Sequence, residues 1–197
     1  MPDEIDYSKT AWGDESVRIT ANPSFYAMAA CVIDANALRL PLELMYLKPK
    51  SAKKLHWREL DDRGRKRALK VISEHPPKTV IVAAAPIIRN KQERARRKCL
   101  EALLIELESD GVTKLVLESR DEHLDQKDVD HIVALRRADI LHNIELYHLA
   151  SSTEPRLYVP DQILGAYGDS ETARMSPIWT RSWKLIEANC TFLKVSP

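Results

Sequence analysis

Between Asn90 and Ser119 the chain spells one helix and one strand in succession, and this pair limits the fold more than any other stretch. Leu100, Leu103, Leu104 and Leu107 recur at three- and four-residue spacing, which lines one face of an α-helix over 90–110. Gly111 stands where such a helix needs a residue free to take positive φ, and "TKLVLES" (113–119) then reads as a short strand. Helices alternating with short apolar strands require crossovers between parallel strands, which is an α/β architecture.

The remaining elements extend this reading in both directions. Residues 10–16 and "FYAMAACVI" (25–33) are two strands joined across the turn signal "ANPS", a hairpin. "DANALRLPLELMYL" is at least partly helical, and a basic loop leads to a helix over about 58–74 that stops before Pro76-Pro77. "KTVIVAAAP" (78–86), β-branched and bounded by prolines, is a third, buried strand. After 113–119 come a helix over about 121–140, a fifth strand "NIELYHLAS" (143–151), and a short helix from "YVPDQILGAYG" (158–168) with Pro160 near its start. The tail "SPIWTRSWKLIEANCTFLKV" fits helix and strand equally.

A length of 197 residues suits a single domain over 1–197. Its expected parts include a polar N-terminal tail (1–8), a basic helical insertion (34–75) between strands two and three, and a C-terminal extension (171–197). No apolar run approaches a membrane span, and "MPDEIDYSK" lacks the basic start and apolar core of a secretory signal, so a cytoplasmic location without membrane partners is expected. Cys31, Cys99 and Cys190 are too scattered for a metal knuckle and too few for a disulfide framework. The net charge of +1 conceals an uneven distribution. "KPKSAKKLHWRELDDRGRKRALK" (48–70) carries ten Lys/Arg against three acids, "RNKQERARRK" (89–98) six against one, and 101–131 reverses the sign with ten acids against three. Such asymmetry suits a polyanion-binding surface beside an acidic centre, and it equally suits solvated helix faces.

The order β-β-(αα)-β-α-β-α-β-α fits a ribonuclease H-like mixed sheet of five strands in the order 3-2-1-4-5, flanked by helices. In that arrangement strands one and four are parallel neighbours whose carboxyl ends border the ligand crevice of an open α/β sheet. Asp14 ends the first of these strands and Glu118 the second, while Asp161 opens the helix that returns across the same edge. Three convergent carboxylates repel one another unless a cation neutralises them, and an all-oxygen donor set suits Mg²⁺ or Mn²⁺. Such ions activate water and stabilise the leaving oxygen in phosphodiester displacement.

Each residue also has a plainer reading. Asp14 can serve the hairpin backbone, Glu118 can be a strand-end surface acid, and Asp161 can complement the helix dipole. Glu15 faces the other side of the sheet from Asp14 and suits a basic partner. Lys53, Lys54 and His56 lie in the basic segment, where they contact phosphate, assist proton transfer or are merely solvated. Trp57 suits base stacking or a core anchor. Glu93 is a conceivable fourth acid, and the histidines lack the spacing of a zinc helix. With five glycines and neither GxxxxGK[ST] nor GxGxxG, a P-loop and a Rossmann dinucleotide site have no support; no GxSxG elbow or catalytic Cys signature is present.

A "DES" first strand, an apolar second strand, the segment "KKLHW", the strand ending "LVLESR" and the late helix "PDQILGAYGD" together resemble the domain-of-unknown-function 3800 family of the ribonuclease H-like superfamily. The resemblance spans about residues 10–170 and implies a metal-dependent nuclease in which Asp14, Glu118 and Asp161 match the metal-binding acids, with Lys54 and His56 in the basic segment. Val17 replaces the glycine that usually follows DES, and Glu118 stands where the family often has aspartate. The function expected is hydrolysis of RNA or DNA phosphodiester bonds. The alternative is a catalytically degenerate nucleic-acid-binding or protein-interaction module of the same fold. A glycosidase using two of these acids is less favoured, since carbohydrate sites usually need more aromatic platforms than lie near them. Oligomeric state is open.

Overall fold

Phe25–Val32 forms β2, whose small residues Ala27, Ala29 and Ala30 are fully buried because other elements cover both of its faces. It pairs antiparallel with β1 (Thr10–Arg18) on one side and with β3 (Lys78–Ala84) on the other. β4 (Lys114–Glu118) joins β1 in parallel, and β5 (Glu145–Leu149) joins β4 in parallel. In this computed structural model residues 6–19, 23–172 and 176–197 are described.

The fold is α/β, a mixed six-stranded sheet in the order β5-β4-β1-β2-β3-β6 with helices on both faces. It differs from the expected five-stranded sheet because the ambiguous tail supplies an additional element, β6 (Cys190–Val195), parallel to the outer side of β3. Without β6, the backbone groups on that side of β3 would need other partners. The tail also contributes a helix over Thr180–Glu187, described below as α6. Residues 173–175 of the expected C-terminal extension lie outside the described residues, as do residues 1–5 of the expected polar tail. The described part of that tail is not all polar surface: Tyr7–Lys9 make a 3-10 turn, and Tyr7 stacks on Trp12 with ring centroids 6.2 Å apart.

The insertion between β2 and β3 contains α1 (Leu40–Leu47), a 3-10 turn at Trp57–Glu59, and α2 (Asp62–Glu74), whose first turn is capped by the Asp61 carboxylate accepting from Gly64 N at 2.7 Å. α3 (Gln92–Ser109) buries Leu100, Leu103, Leu104 and Leu107 as its spacing predicts. Gly111, at φ 81°, ends it in a Schellman arrangement in which Val112 N donates to Leu107 O and Gly111 N to Glu108 O. α4 (Glu122–Arg137), α5 (Tyr158–Glu171) and α6 complete the chain. α3 and α4 bury their apolar residues on one face of the sheet, with Ala11, Met28, Leu115 and Leu117. α1, α2, α5 and α6 cover the other face, with Trp12, Ala27, Ala29 and Val116.

Candidate functional site

Gly13 of β1 lies beside Leu117 of β4 in the parallel register, so one residue further along each strand come Asp14 and Glu118. Both share the alternation of Trp12 and Val116 and therefore face the side covered by α5. Gly13 is what permits this approach, since a Cβ there would meet Leu117 Cδ2 at 2.7 Å and Ala29 O at 2.9 Å. One expectation needs correction: β1 continues to Arg18, so Asp14 sits within the strand, opposite Ala29 of β2, at the point where β4 pairing stops.

α5 brings Asp161 to the same face, and its neighbour is the segment 54–57 of the insertion. Asp161, Gly165 and Asp169 follow at four-residue intervals along one side of α5, and all three engage Trp57. Asp161 Oδ2 accepts from Trp57 N at 2.8 Å, the indole lies against Gly165, and Asp169 Oδ2 accepts from Trp57 Nε1 at 3.0 Å. The ring is 2 % exposed and meets Trp179 edge-on with centroids 5.5 Å apart. Trp57 is thus a core anchor, the plainer of its two readings.

Anchoring Trp57 fixes the two polar residues just before it. Lys54 Nζ donates to Glu118 Oε1 at 2.5 Å, and His56 Nδ1 lies 2.7 Å from Asp161 Oδ1. Glu118 Oε1 also accepts from Ser151 Oγ at 2.7 Å, and Asp161 Oδ2 from Gln162 Nε2 at 2.7 Å. Lys54 and His56 are therefore tied to the acids rather than solvated. Lys53 is exposed and stands outside this hydrogen-bonded cluster.

Asp14 keeps some exposure toward the crevice, yet the protein encloses it closely. Its carboxyl is pushed well above the usual range, first by desolvation and then by the charges of Asp161 and Glu118, against the opposing pull of Lys54 and Arg96. For Lys54, desolvation favours the neutral amine, but the Glu118 hydrogen bond and the charges of Glu118, Asp14 and Asp161 hold it above its ordinary value as an ammonium. The Asp161 hydrogen bond raises His56. Asp14 thus feels the charges of both Glu118 and Asp161. The carboxylate oxygens of the three do not all lie within 4.8 Å of one another, the spacing at which one ion could take a ligand atom from each.

A second charged cluster lies on the other face. Arg96 is 2 % exposed and grips Asp128, with Nη2 2.6 Å from Oδ2 and Nε 3.0 Å from Oδ1. Glu15 pairs with Arg96 and accepts from the Tyr26 hydroxyl, as its position opposite Asp14 predicts. Glu93 pairs with Arg120 at 2.8 Å and joins this network, not the three acids. By distance, Asp125, Asp128 and His148 could hold a metal ion, since a ligand atom from each lies within 4.8 Å of the others. Asp128 already accepts from Arg96 and Arg120 and lies 3.2 Å from His148 Nε2, so its charge is compensated by side chains.

No protein-family model matches the chain, and neither does any curated protein. The geometry therefore stands on its own residues. Of the six residues singled out in the sequence, Lys54 pairs with Glu118 and His56 with Asp161, while Asp14 stands in β1 one residue beyond the Gly13–Leu117 pairing, and the three acids are not a group that could hold one metal ion by distance. Ser151 was not legible as a partner, because only folding brings its loop to Glu118, whereas Gln162 adjoins Asp161 in the sequence itself. Asp125 and Asp128 carry a local signal, three residues apart on one helix, but His148 reaches them only through the β4–β5 pairing.

Proposed function

We propose that this chain is a metal-dependent nuclease of ribonuclease H-like arrangement, resembling the domain-of-unknown-function 3800 family. The observation that carries the reading is the placement of Asp14 and Glu118 one residue beyond the parallel Gly13–Leu117 pairing, on the sheet face covered by α5, which carries Asp161. A buried carboxylate repelled by two others is costly unless a cation joins it. Asp14, Glu118 and Asp161 would hold Mg²⁺ or Mn²⁺, and such an ion supplies an activated water and charge stabilisation for phosphodiester hydrolysis.

The chain's own groups fill the remaining roles. His56, steadied through Nδ1 by Asp161, offers its other ring nitrogen for proton transfer. The exposed cations Lys50, Lys53 and Arg58 flank this segment and suit backbone phosphates, which carry no sequence information, so RNA and DNA are both admissible substrates. Three unpaired cysteines fit a reducing, cytoplasmic setting. Among the described residues no helix is long and apolar enough to cross a membrane.

One observation favours a second reading, a non-catalytic nucleic-acid-binding module: Lys54 already pairs with Glu118 and neutralises part of the acid cluster. The deciding experiment offers end-labelled single- and double-stranded RNA and DNA to wild type and Asp14→Asn, with Mg²⁺, Mn²⁺ or EDTA. Metal-dependent cutting by wild type alone is the expected result. Absence of cutting of every substrate, or equal cutting by Asp14→Asn, leaves the binding module as the better account.

A further inference from the structure

β5 is an outer strand of the sheet, and among the described residues no strand pairs with its far side. Its odd-numbered residues serve β4: Glu145 N donates to Thr113 O at 2.8 Å, and Leu149 O accepts from Ser119 N at 2.9 Å. The backbone groups of Leu146 and His148 therefore point away from the sheet, because alternate residues of a strand bond to opposite sides. Tyr147 and Leu149 of β5 and Val129 and Val133 of α4 are between 39 % and 46 % exposed. α4 and β5 border a groove of about 240 Å³ whose lining includes Val129, Val133, Arg136 and Tyr147. We propose that a second copy of the chain docks on this edge, β5 pairing antiparallel with β5 about a two-fold axis so that the two sheets become one.

The charge pattern of α4 selects a second copy as the occupant. Glu122, Val129 and Arg136 are spaced seven residues apart and share one face of the helix, an acid in its first turn and a base in its last. A two-fold axis reverses one helix against the other, so Glu122 faces Arg136 of the second copy while Val129 meets its counterpart. This face, acidic at one end and basic at the other, complements its own reversed copy. The strand agrees with the helix. An axis through Tyr147 sets Leu146 opposite His148 of the second copy, and their outward N–H and C=O groups can exchange two hydrogen bonds. Tyr147 then meets its counterpart, Leu149 lies opposite Glu145, and no like charges stand across the pair. Arg136 Nη2 already donates to Ile144 O at 2.8 Å, so the open stretch of edge begins at Leu146. β6, the other outer strand, exposes Lys194, a side chain that discourages edge pairing.

This inference is independent of metal and of catalysis, and its test needs neither. Sedimentation velocity is measured on the full chain at rising concentration up to about 1 mM, the weak end of the affinity scale. Wild type is expected to dimerise. Glu122→Arg and Arg136→Glu, each alone, set like charges opposite one another at both ends of the paired helices and should raise the dissociation constant at least about tenfold. An equimolar mixture of these two variants should regain wild-type affinity, because each then meets an opposite charge at both contacts. Val133→Lys should weaken the dimer whatever it is mixed with. Near-UV circular dichroism reports folding; should Arg136→Glu fail to fold for want of its bond to Ile144, Glu122→Arg and Val133→Lys decide the matter, and both must weaken the dimer. A wild type that stays monomeric leaves this edge to a different chain and overturns the proposal. So does a dissociation constant that the variants leave unchanged, or a mixture of folded Glu122→Arg and Arg136→Glu that does not dimerise.

Discussion

A Cβ added to Gly165 would lie 2.0 Å from Cγ of Trp57. The absence of a side chain at that position is what lets the indole lie flat on α5, and the indole in turn carries Lys54 and His56 to the acids. Gly165→Ala must therefore displace the ring or the helix. Overpacking of this kind costs about 1–3 kcal/mol, and urea denaturation should show a loss of at least that order. The same variant should alter Mn²⁺ binding, because the segment 54–57 that holds Lys54 on Glu118 loses its fixed position. Unaltered stability and unaltered metal binding together would show that the clamp does not organise the site.

Asp14→Asn should make the metal-free protein more stable at neutral pH. The folded state holds the Asp14 carboxyl well above its usual range, so the unfolded chain ionises at lower pH than the folded one. The folded protein then binds more protons than the unfolded chain, and wild-type stability falls as pH rises from the ordinary carboxylate range toward the folded value. Denaturation in EDTA across pH 4–8, a window chosen as roughly that from an ordinary Asp pKa of about 3.9 upward, should show this decline in wild type and a flatter profile in Asp14→Asn. Added Mn²⁺ should reverse the ranking by stabilising only wild type.

Asp128 behaves in the opposite sense. Burial alone would raise its carboxyl, but hydrogen bonds from His148 and Arg96 and the charges of Arg96 and Arg120 hold it far below the usual range. A depressed folded value contributes stability that is present above the unfolded value and lost as pH falls toward the folded one. Acid denaturation below about pH 4, the ordinary Asp range, should therefore be gentler in Asp128→Asn than in wild type. At neutral pH, Asp128→Ala should cost about 3 kcal/mol, the lower end for a broken buried pair, because Glu15 still accompanies Arg96.

The exposed insertion cations should govern nucleic-acid affinity without touching the centre. Charge reversal at Lys50, Lys53 and Arg58 should weaken binding of a labelled oligonucleotide and flatten the plot of log affinity against log salt, by roughly 0.7–0.9 for each phosphate no longer neutralised. Lys54 is left intact because it belongs to the acid cluster. Fluorescence anisotropy between 50 and 300 mM salt, roughly the range over which counterion release is read, provides the slope. An unchanged slope assigns the insertion to solvated surface.

The local pattern determined the element types. The leucine stripe of α3, its Gly111 stop, the β-branched run of β3 and the apolar β2 each carry their structure in a few consecutive residues, because helix and strand periodicity is a short-range property. Of the acids the sequence singles out, Glu118 ends β4 and Asp161 lies in the first turn of α5 as expected, but Asp14 lies within β1 rather than at its end. Tertiary structure decided what periodicity cannot reach. The tail became α6 and β6 only because α2 and the open side of β3 offered places to bury Trp183 and Ile186 and to pair a strand. The basic runs were alike in sequence, yet folding buried Arg96 against Asp128 and Glu15 while leaving Lys53 in solvent. Charge partners are set by which faces meet across the sheet, and the Lys54–Glu118 pair joins residues 64 positions apart through the seating of Trp57 on Gly165, a packing for which neither local stretch carries a signal.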